Sequence, residues 1–402
     1  MMDSATRNYL VVTGGYWAFT ITDGAIRMLV VLYFHLLGYS PFEVAMLFLF
    51  YEFFGIVTNL VGGWLGARIG LNLTMHIGMA MQVVALSMLA VPDTWLSVPY
   101  VMFAQALSGI AKDLNKMSAK ASVKTLVTSD SETQLFRWVA ILTGSKNALK
   151  GGGFFIGAAF LDWIGFRGAL LVLAGMLLAV LITTMAMLPS GVGKMKSRPK
   201  FNQVFSNVAA INWLSAARFF LFGSRDIWFV VGLPVFLYDV LEWNFTEVGA
   251  FMALWVIGYG MIQASAPKLI GKAHHGQGPG GGTARMWAFI LSVFPAGIAL
   301  GLSLGWPADI VIVTGLMLFG VVFAINSAVH SYLILAYSSR DRVAMNVGFY
   351  YMANAGGRLT GTVLSGWAYQ LWGLEGCLWW STAFVLAATL LSFALPVYSS
   401  AE

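Results

Sequence analysis

Apolar stretches long enough to cross a bilayer recur from Tyr9 to Pro396, and they leave this chain few folds to choose from. The hydrocarbon core of a membrane is about 30 Å thick, so a crossing helix needs about 20 apolar residues. Twelve spans are expected, at about 9–36, 41–66, 73–91, 97–119, 138–160, 167–188, 208–238, 246–270, 285–304, 308–332, 343–369 and 374–396. Each must satisfy its own backbone hydrogen bonds inside lipid, which selects helices. The expected fold class is an all-α membrane protein of twelve transmembrane helices. With 59% hydrophobic and only 10% charged residues, the chain has far more apolar surface than a soluble core can bury. The net charge of +6 invites a nucleic-acid reading. That reading is rejected, because the basic residues lie in spans or short loops and form no stripe with interleaved aromatics. The first apolar run is too long for a cleavable signal peptide and has no small-residue cleavage site. Cys377 is the single cysteine, which excludes an internal disulfide and a thiolate metal cluster.

Loop charge orients the spans. With a cytoplasmic N-terminus, the inner segments hold Arg7, Arg68, Lys120, Lys124, Arg137, Lys194, Lys196, Arg198, Lys200, Lys268, Lys272, Arg285, Arg340 and Arg342. The outer loops hold only Arg167, together with Asp93, Asp162, Asp239, Glu242, Glu247, Asp309 and Glu375. Positive residues stay inside, so both termini are expected in the cytoplasm, as in a multi-pass protein of a bacterial inner membrane. Composition breaks at 189–207, which reads as a basic cytoplasmic linker between an N-terminal six-helix half (1–188) and a C-terminal half (208–402). A polar loop at 271–282 contains His274 and His275, adjacent and without other nearby ligands, so no metal site and no cofactor are expected.

Eight cations sit inside the apolar stretches: Arg27, Lys112, Lys116, Lys146, Lys150, Arg218, Arg225 and Arg358. Only four acids lie at comparable depth, Asp23, Glu52, Asp113 and Asp226. An intramembrane charge pairs, or it faces water or a ligand. Four cations are therefore expected to lack an acidic partner, and the cargo is expected to supply the missing negative charge. At about 1.5 Å per residue, Lys112, Lys150, Arg358 and Asp23 lie roughly 18–23 Å into their spans, near mid-depth. Helical spacing places Thr13, Tyr16, Thr20, Asp23 and Arg27 on one stripe of span 1, and Gln105, Ser108, Lys112 and Lys116 on one of span 4, with Asn115 beside it. Likewise Thr143, Lys146, Asn147 and Lys150 align in span 5, Ser215, Arg218, Phe222 and Arg225 in span 7, and Asn346, Tyr350, Asn354, Arg358 and Ser365 in span 11.

Each group also has a structural reading. Asp23 and Arg27, spaced i and i+4, can neutralise each other. Arg225 and Asp226 project about 100° apart, so they are expected to bridge to other helices rather than to each other. Asp113 is expected to neutralise Lys112, Lys116 or a span 5 cation, and Glu52 with Asn59 to act as inter-helix glue. His330, close to Ser327, is a candidate proton carrier or a buried hydrogen-bonding residue. Gly151, Gly152, Gly153 and Gly157 suit close helix approach and lack the Gly-Lys-Ser/Thr ending of a phosphate-binding loop.

The halves echo each other, with Pro-Phe-Glu-Val (41–44) against Phe-Thr-Glu-Val (245–248) and Gly-Phe-Phe-Ile-Gly (153–157) against Gly-Arg-Leu-Thr-Gly (357–361). Twelve spans, a basic central loop, Gly-Gly-Trp-Leu-Gly-Ala-Arg-Ile-Gly (62–70) and Gly-Phe-Arg-Gly-Ala-Leu (165–170) together resemble the major facilitator superfamily. The resemblance implies two pseudo-symmetric six-helix halves, with spans 1, 4, 7 and 10 lining a central cavity and alternating access by rocking of the halves. Arg68 keeps the basic position of the inner gate, while Ala67 stands where the superfamily carries an acid.

A narrower resemblance follows. Residues 16–27 (Tyr-Trp-Ala-Phe-Thr-Ile-Thr-Asp-Gly-Ala-Ile-Arg), 109–120 (Gly-Ile-Ala-Lys-Asp-Leu-Asn-Lys-Met-Ser-Ala-Lys), 144–151 (Gly-Ser-Lys-Asn-Ala-Leu-Lys-Gly) and 222–230 (Phe-Gly-Ser-Arg-Asp-Ile-Trp-Phe-Val) resemble the ArsJ organoarsenical efflux permeases. That family implies export of 1-arseno-3-phosphoglycerate, which a partner glyceraldehyde-3-phosphate dehydrogenase makes from arsenate, and hence arsenate resistance. The expected anion cage is Lys112, Lys116, Lys146, Lys150, Arg218, Arg225 and Arg358 with Arg27, joined by Asn115, Asn147 and Asn354. Lys and Arg suit phosphate-like oxyanions, Arg through forked bonds. Asp23, Glu52, Asp113 and Asp226 are coupling or structural acids. An organophosphate or phosphate carrier is the alternative within transport, and a membrane anion sensor or enzyme the alternative outside it. No nucleophile-base constellation supports an enzyme.

Overall fold

The computed structural model describes residues 4–126, 132–189, 208–273, 279–338 and 343–396. Most of the expected linker, His274, His275, Arg340 and Arg342 lie outside these residues, and of the inner-gate Arg68 only the backbone is described. Among the described residues every regular element is helical: α1 (Ser4–Leu36), α2 (Pro41–Leu47), α3 (Leu49–Ile69), α4 (Leu71–Leu89), α5 (Val98–Leu126), α6 (Glu132–Met187), α7 (Ala209–Phe229), α8 (Gly232–Asp239), α9 (Phe245–Ala273), α10 (Gly281–Ser303), α11 (Ala308–Ala336) and α12 (Val343–Leu391), with short 3₁₀ turns at Asp93–Trp95 and Ser392–Ala394.

Nine helical stretches among the described residues are long and apolar enough to cross a membrane. Two of them, Ser145–Met187 with 43 residues and Gly348–Ala394 with 47, are twice the length one crossing needs. Each is divided by a glycine outside the helical region, Gly165 (φ 73, ψ 171) in α6 and Gly373 (φ 62, ψ −160) in α12. Only glycine adopts such angles without strain, so these residues end one arm and start the next. α5 spans 29 residues but carries Lys112, Asp113 and Lys116 in its interior, which is why apolarity alone misses it. With the two long helices divided and α5 included, the twelve expected crossings are accounted for. Large apolar side chains such as Leu73, Phe103, Ile182, Leu254, Phe289, Ile310 and Leu390 stand exposed along the helices, as a surface solvated by lipid requires.

Two spans are broken. Pro41 opens α2 behind a capping box, in which the Glu43 amide donates to Ser40 Oγ at 3.3 Å and the Ser40 amide to Glu43 Oε2 at 2.8 Å. Span 7 is interrupted between α7 and α8. There the amides of Val231 and Gly232 both donate to Ser365 Oγ on α12, at 3.1 Å each. Ser365, placed by its spacing on a polar stripe, satisfies backbone that would otherwise be stranded in hydrocarbon.

The chain forms two compact units. Unit 1 comprises Met1–Tyr33, Phe50–Lys200 and Phe245–Val256, and unit 2 comprises Phe34–Leu49, Phe201–Asn244 and Ile257–Glu402. All of α2 and the start of α9 thus each belong to the unit built mainly from the other half of the sequence. In unit 1, Val12, Tyr16 and Phe19 of α1 pack with Met75 and Met79 of α4, Ala111 of α5 and Leu177 and Leu181 of α6. In unit 2, Ile211 and Leu214 of α7 pack with Ala284 of α10, Val329 and Leu333 of α11 and Tyr350 of α12.

The echoed glycine segments do the same job in both units. A Cβ on Gly153 of α6 would lie 3.0 Å from Gly24 Cα of α1. A Cβ on Gly357 of α12 would lie 2.9 Å from Phe219 Cα of α7. In each unit two backbones therefore meet at contact distance, and that contact sets neighbouring charged side chains across a narrow gap.

Candidate functional site

In unit 1 the polar stripes of α1, α3, α5 and α6 meet. Glu52 Oε1 of α3 accepts a hydrogen bond from Arg27 Nη2 of α1 at 2.6 Å. Lys112 Nζ of α5 lies 3.9 Å from Glu52 Oε2 and 3.8 Å from Asp113 Oδ2. Asp113 Oδ1 accepts from Lys116, whose ammonium also donates to Asn59 Oδ1 at 2.9 Å. Asp23 Oδ2 lies 3.5 Å from Lys150 Nζ of α6. Tyr51 ties the set together. Its hydroxyl donates to Asp23 Oδ1 at 2.5 Å, and its ring face lies 4.0 Å below Lys112 Nζ and 5.2 Å from Arg27 Cζ. The ring quadrupole favours both cations. Lys146 and Asn147 sit half-buried on α6, near Lys150.

Unit 2 holds a smaller centre on α7, α11 and α12. Asp226 Oδ1 accepts from Arg225 Nε at 2.7 Å and also from Arg225 Nη2, while its Oδ2 accepts from Arg358 Nε at 3.1 Å. Arg218, two turns earlier on α7, has no carboxylate within 4 Å among the described residues. It donates through Nε to Asn354 Oδ1 at 2.9 Å and through Nη1 to Ser327 O and Oγ at 3.2 Å each. Phe222 lies between the two arginines on this stripe, with its ring centroid 3.7 Å from Arg218 Cζ and 5.3 Å from Arg225 Cζ. His330 is fully buried on α11.

These positions correct four expectations. First, at least six of the eight cations lie within 4 Å of a carboxylate, because Glu52, Asp113 and Asp226 each serve two cations. Second, Asp23 and Arg27 do not pair with each other: Asp23 takes Lys150 and Tyr51, and Arg27 takes Glu52. Third, Arg225 and Asp226 pair although they are adjacent, since the long guanidinium arm folds back over the shorter carboxylate; the expected bridge to another helix is made as well, from Asp226 to Arg358 of α12. Fourth, Asn115 turns away from the lysines. It donates to Ala111 O at 3.1 Å and packs on Gly78 of α4, so it serves helix contact. Asp113 lies against Lys112 and Lys116 of its own helix, while Glu52 and Asn59 of α3 reach Arg27 of α1 and Lys116 of α5.

Exposure separates the two signs of charge. The side chains of Asp23, Glu52, Asp113 and Asp226 are 0–5% exposed, whereas those of Lys112, Lys116, Lys150, Arg225 and Arg358 keep 14–21%. The four acids are thus enclosed while these five cations stay partly accessible; Arg27 and Arg218 are as buried as the acids. Tyr51, Phe222, Ser327, Tyr259 and Gln263 complete the centres and were not among the expected site residues. Tyr51 and Phe222 are aromatic positions in spans full of aromatics, and helical spacing alone does not separate them from core.

Long apolar helices among the described residues, with charged centres buried within each unit, define a multi-pass membrane protein. Residues 12–332 match the Major Facilitator Superfamily, and the chain belongs to it. No curated protein sequence matches the chain. Among solved structures it resembles a POT family transporter in complex with 5-aminolevulinic acid, at 13% identity and a TM-score of 0.74, over 96% of this chain and 95% of that one. It also resembles a proton-dependent oligopeptide transporter (16% identity, TM-score 0.72, 97% of each chain) and a bacterial homologue of the iron transporter ferroportin in an inward-facing state (17%, 0.70, 96% of this chain and 98% of that one). At such identities these likenesses establish the fold alone.

Proposed function

We propose that this transporter exports a small organic polyanion, and that the cargo is 1-arseno-3-phosphoglycerate. The observation that carries the reading is the layering of charge, with buried carboxylates beneath partly exposed cations in each centre. A site for cationic drugs would reverse that order. The sequence resemblance to the ArsJ permeases supplies the particular cargo, whose phosphate and arsenate groups bring several negative charges. The substrate-binding residues in this reading are Arg27, Lys112, Lys116, Lys146, Lys150, Arg218, Arg225 and Arg358, with Asn147 and Asn354. The four acids hold the cations in place.

The physiological setting is a bacterial inner membrane with both termini cytoplasmic, paired with a dehydrogenase that arsenylates the triose phosphate. Export proceeds by alternating access. Moving one charge through 100 mV is worth about 2.3 kcal/mol, so an inside-negative potential drives a polyanion outward with no coupled ion. Proton antiport is the competing arrangement. Proteoliposomes with an imposed potassium–valinomycin potential and no pH gradient separate the two, because only uniport runs there.

The deciding experiment follows arsenic leaving cells. Loss accelerates only when this protein and the arsenylating dehydrogenase are expressed together. Equal loss without the dehydrogenase refutes the assigned cargo. An organophosphate carrier is the second reading, favoured by the same cation layer. It predicts that 3-phosphoglycerate competes as well as its arsenylated form.

A further inference from the structure

In unit 2, α7 and α11 run antiparallel, and their contacts fix the register between them. Trp228 meets Phe319 with ring centroids 5.3 Å apart, Phe222 meets Phe323 at 5.2 Å, and Arg218 Nη1 meets Ser327 Oγ at 3.2 Å. One further turn brings Ser215 of α7 level with His330 of α11, and Asn326, four residues before His330, shares its face. All three side chains are buried. Ser215 Oγ, both ring nitrogens of His330 and both amide atoms of Asn326 have no hydrogen-bond partner among the described residues. Native proteins leave few buried polar atoms in that state, and apolar side chains would fill the same space without the cost. Arg218 lies within electrostatic reach of His330. It bonds through Nε to Asn354 and through Nη1 to Ser327, both neutral, and its Nη2 makes no hydrogen bond among the described residues. The four side chains together hold a positive charge and more donor hydrogens than acceptor atoms. Bonding among themselves would leave that charge uncompensated, so what they lack is an anionic acceptor.

We infer that Ser215, Asn326 and His330 complete, with Arg218, a seat for the oxyanion end of a small molecule. Arg218 supplies the charge through Nη2, Asn326 its amide N–H groups, Ser215 its hydroxyl and His330 one ring N–H. The ligand class is a phosphate-type oxyanion, whose oxygens accept several bonds and form the stronger, charge-assisted kind. The site rests on the proposed polyanion transport and deepens it. It adds three residues to those that recognise cargo, and it gives α11 a share in recognition that the charged residues alone do not.

The test pairs stability with binding, in the full-length protein in detergent. Melting is followed without ligand, gel filtration checks folding, and calorimetry measures binding of inorganic phosphate and of 3-phosphoglycerate. Asn326→Leu and His330→Phe remove polar atoms that lack partners, so the empty variants are expected to melt no lower than the parent. Both are expected to bind phosphate at least tenfold more weakly, and Ser215→Ala severalfold more weakly. Asn326→Asp brings a carboxylate to Arg218, so it is expected to raise the melting temperature and to abolish binding of both anions. Unchanged binding in Asn326→Leu and His330→Phe, whatever their stability, overturns this site while leaving the polyanion reading intact. If both variants melt lower and also bind weakly, Asn326→Asp decides. Retained binding in that protein overturns the site, and lost binding in the folded protein supports it. No binding of either anion by the parent overturns both this site and the polyanion reading.

Discussion

Replacing Asp226 with Asn removes one charge and unsettles two arginines. Asp226 is fully buried and accepts from Arg225 through Oδ1 and from Arg358 through Oδ2. Breaking a buried ion pair by removing one partner costs about 3–5 kcal/mol. Asn keeps one acceptor oxygen, which returns about 1 kcal/mol. The arginines keep 15–16% of their side chains exposed, so water offsets a further part. The expected loss for Asp226→Asn is about 2–4 kcal/mol. Arg358→Gln leaves the Arg225–Asp226 pair in place and is expected to cost only about 1 kcal/mol. The assay is denaturant unfolding in mild detergent, followed by tryptophan fluorescence. The variant also carries two arginines released from their acid, so an added oxyanion has more to neutralise. A ligand at a hundred times its dissociation constant stabilises by about 2.7 kcal/mol, and phosphate is expected to rescue Asp226→Asn more than the parent. Two results refute the reasoning. One is an Asp226→Asn variant within about 0.5 kcal/mol of the parent, the range of ordinary surface changes. The other is an Arg358→Gln variant as damaged as Asp226→Asn.

Other consequences are testable in the same preparations. Lys112→Gln or Lys150→Gln is expected to abolish export in cells while leaving protein abundance near normal, and equal export removes that lysine from the site. Tyr51→Phe deletes the 2.5 Å bond to Asp23 but keeps the ring beneath Lys112, so about 1–3 kcal/mol of stability is lost in unfolding while anion binding changes little. Gly373→Ala forces a side chain onto left-handed backbone, and melting is expected to show a cost of about 1–3 kcal/mol. Ser365→Ala strands the amides of Val231 and Gly232 and is expected to destabilise the break between α7 and α8 by about 1–3 kcal/mol in the same measurement.

The twelve crossings were legible because each needs a run of apolar residues, and lipid tolerates few exceptions. Even α5 could be read, since its charges recur on one face. The polar stripes on spans 1, 4, 5, 7 and 11 were legible for the same reason, and Arg218, Arg225 and Arg358 do share a centre. Pairing was not legible. Spacing along one helix suggested Asp23 with Arg27, yet these two take partners on other helices, Lys150 and Glu52. Nor does spacing report which way an amide turns, so Asn115 looked like a ligand although Gly78 opens a slot for it on α4. The groups around Ser327 of α11 come from α7 and α9, far apart in the chain, and no local pattern gathers them.

Arg218 has a consequence for how cargo arrives. Arg218 is a guanidinium set on an aromatic face, and its hydrogen-bond partners among the described residues are neutral. In a cell rich in chloride, phosphate and carboxylic acids, such a group does not wait bare. Under the proposed polyanion reading, loading is a trade between the passenger and whichever commonplace ion holds the seat, and transport slows as those rivals accumulate.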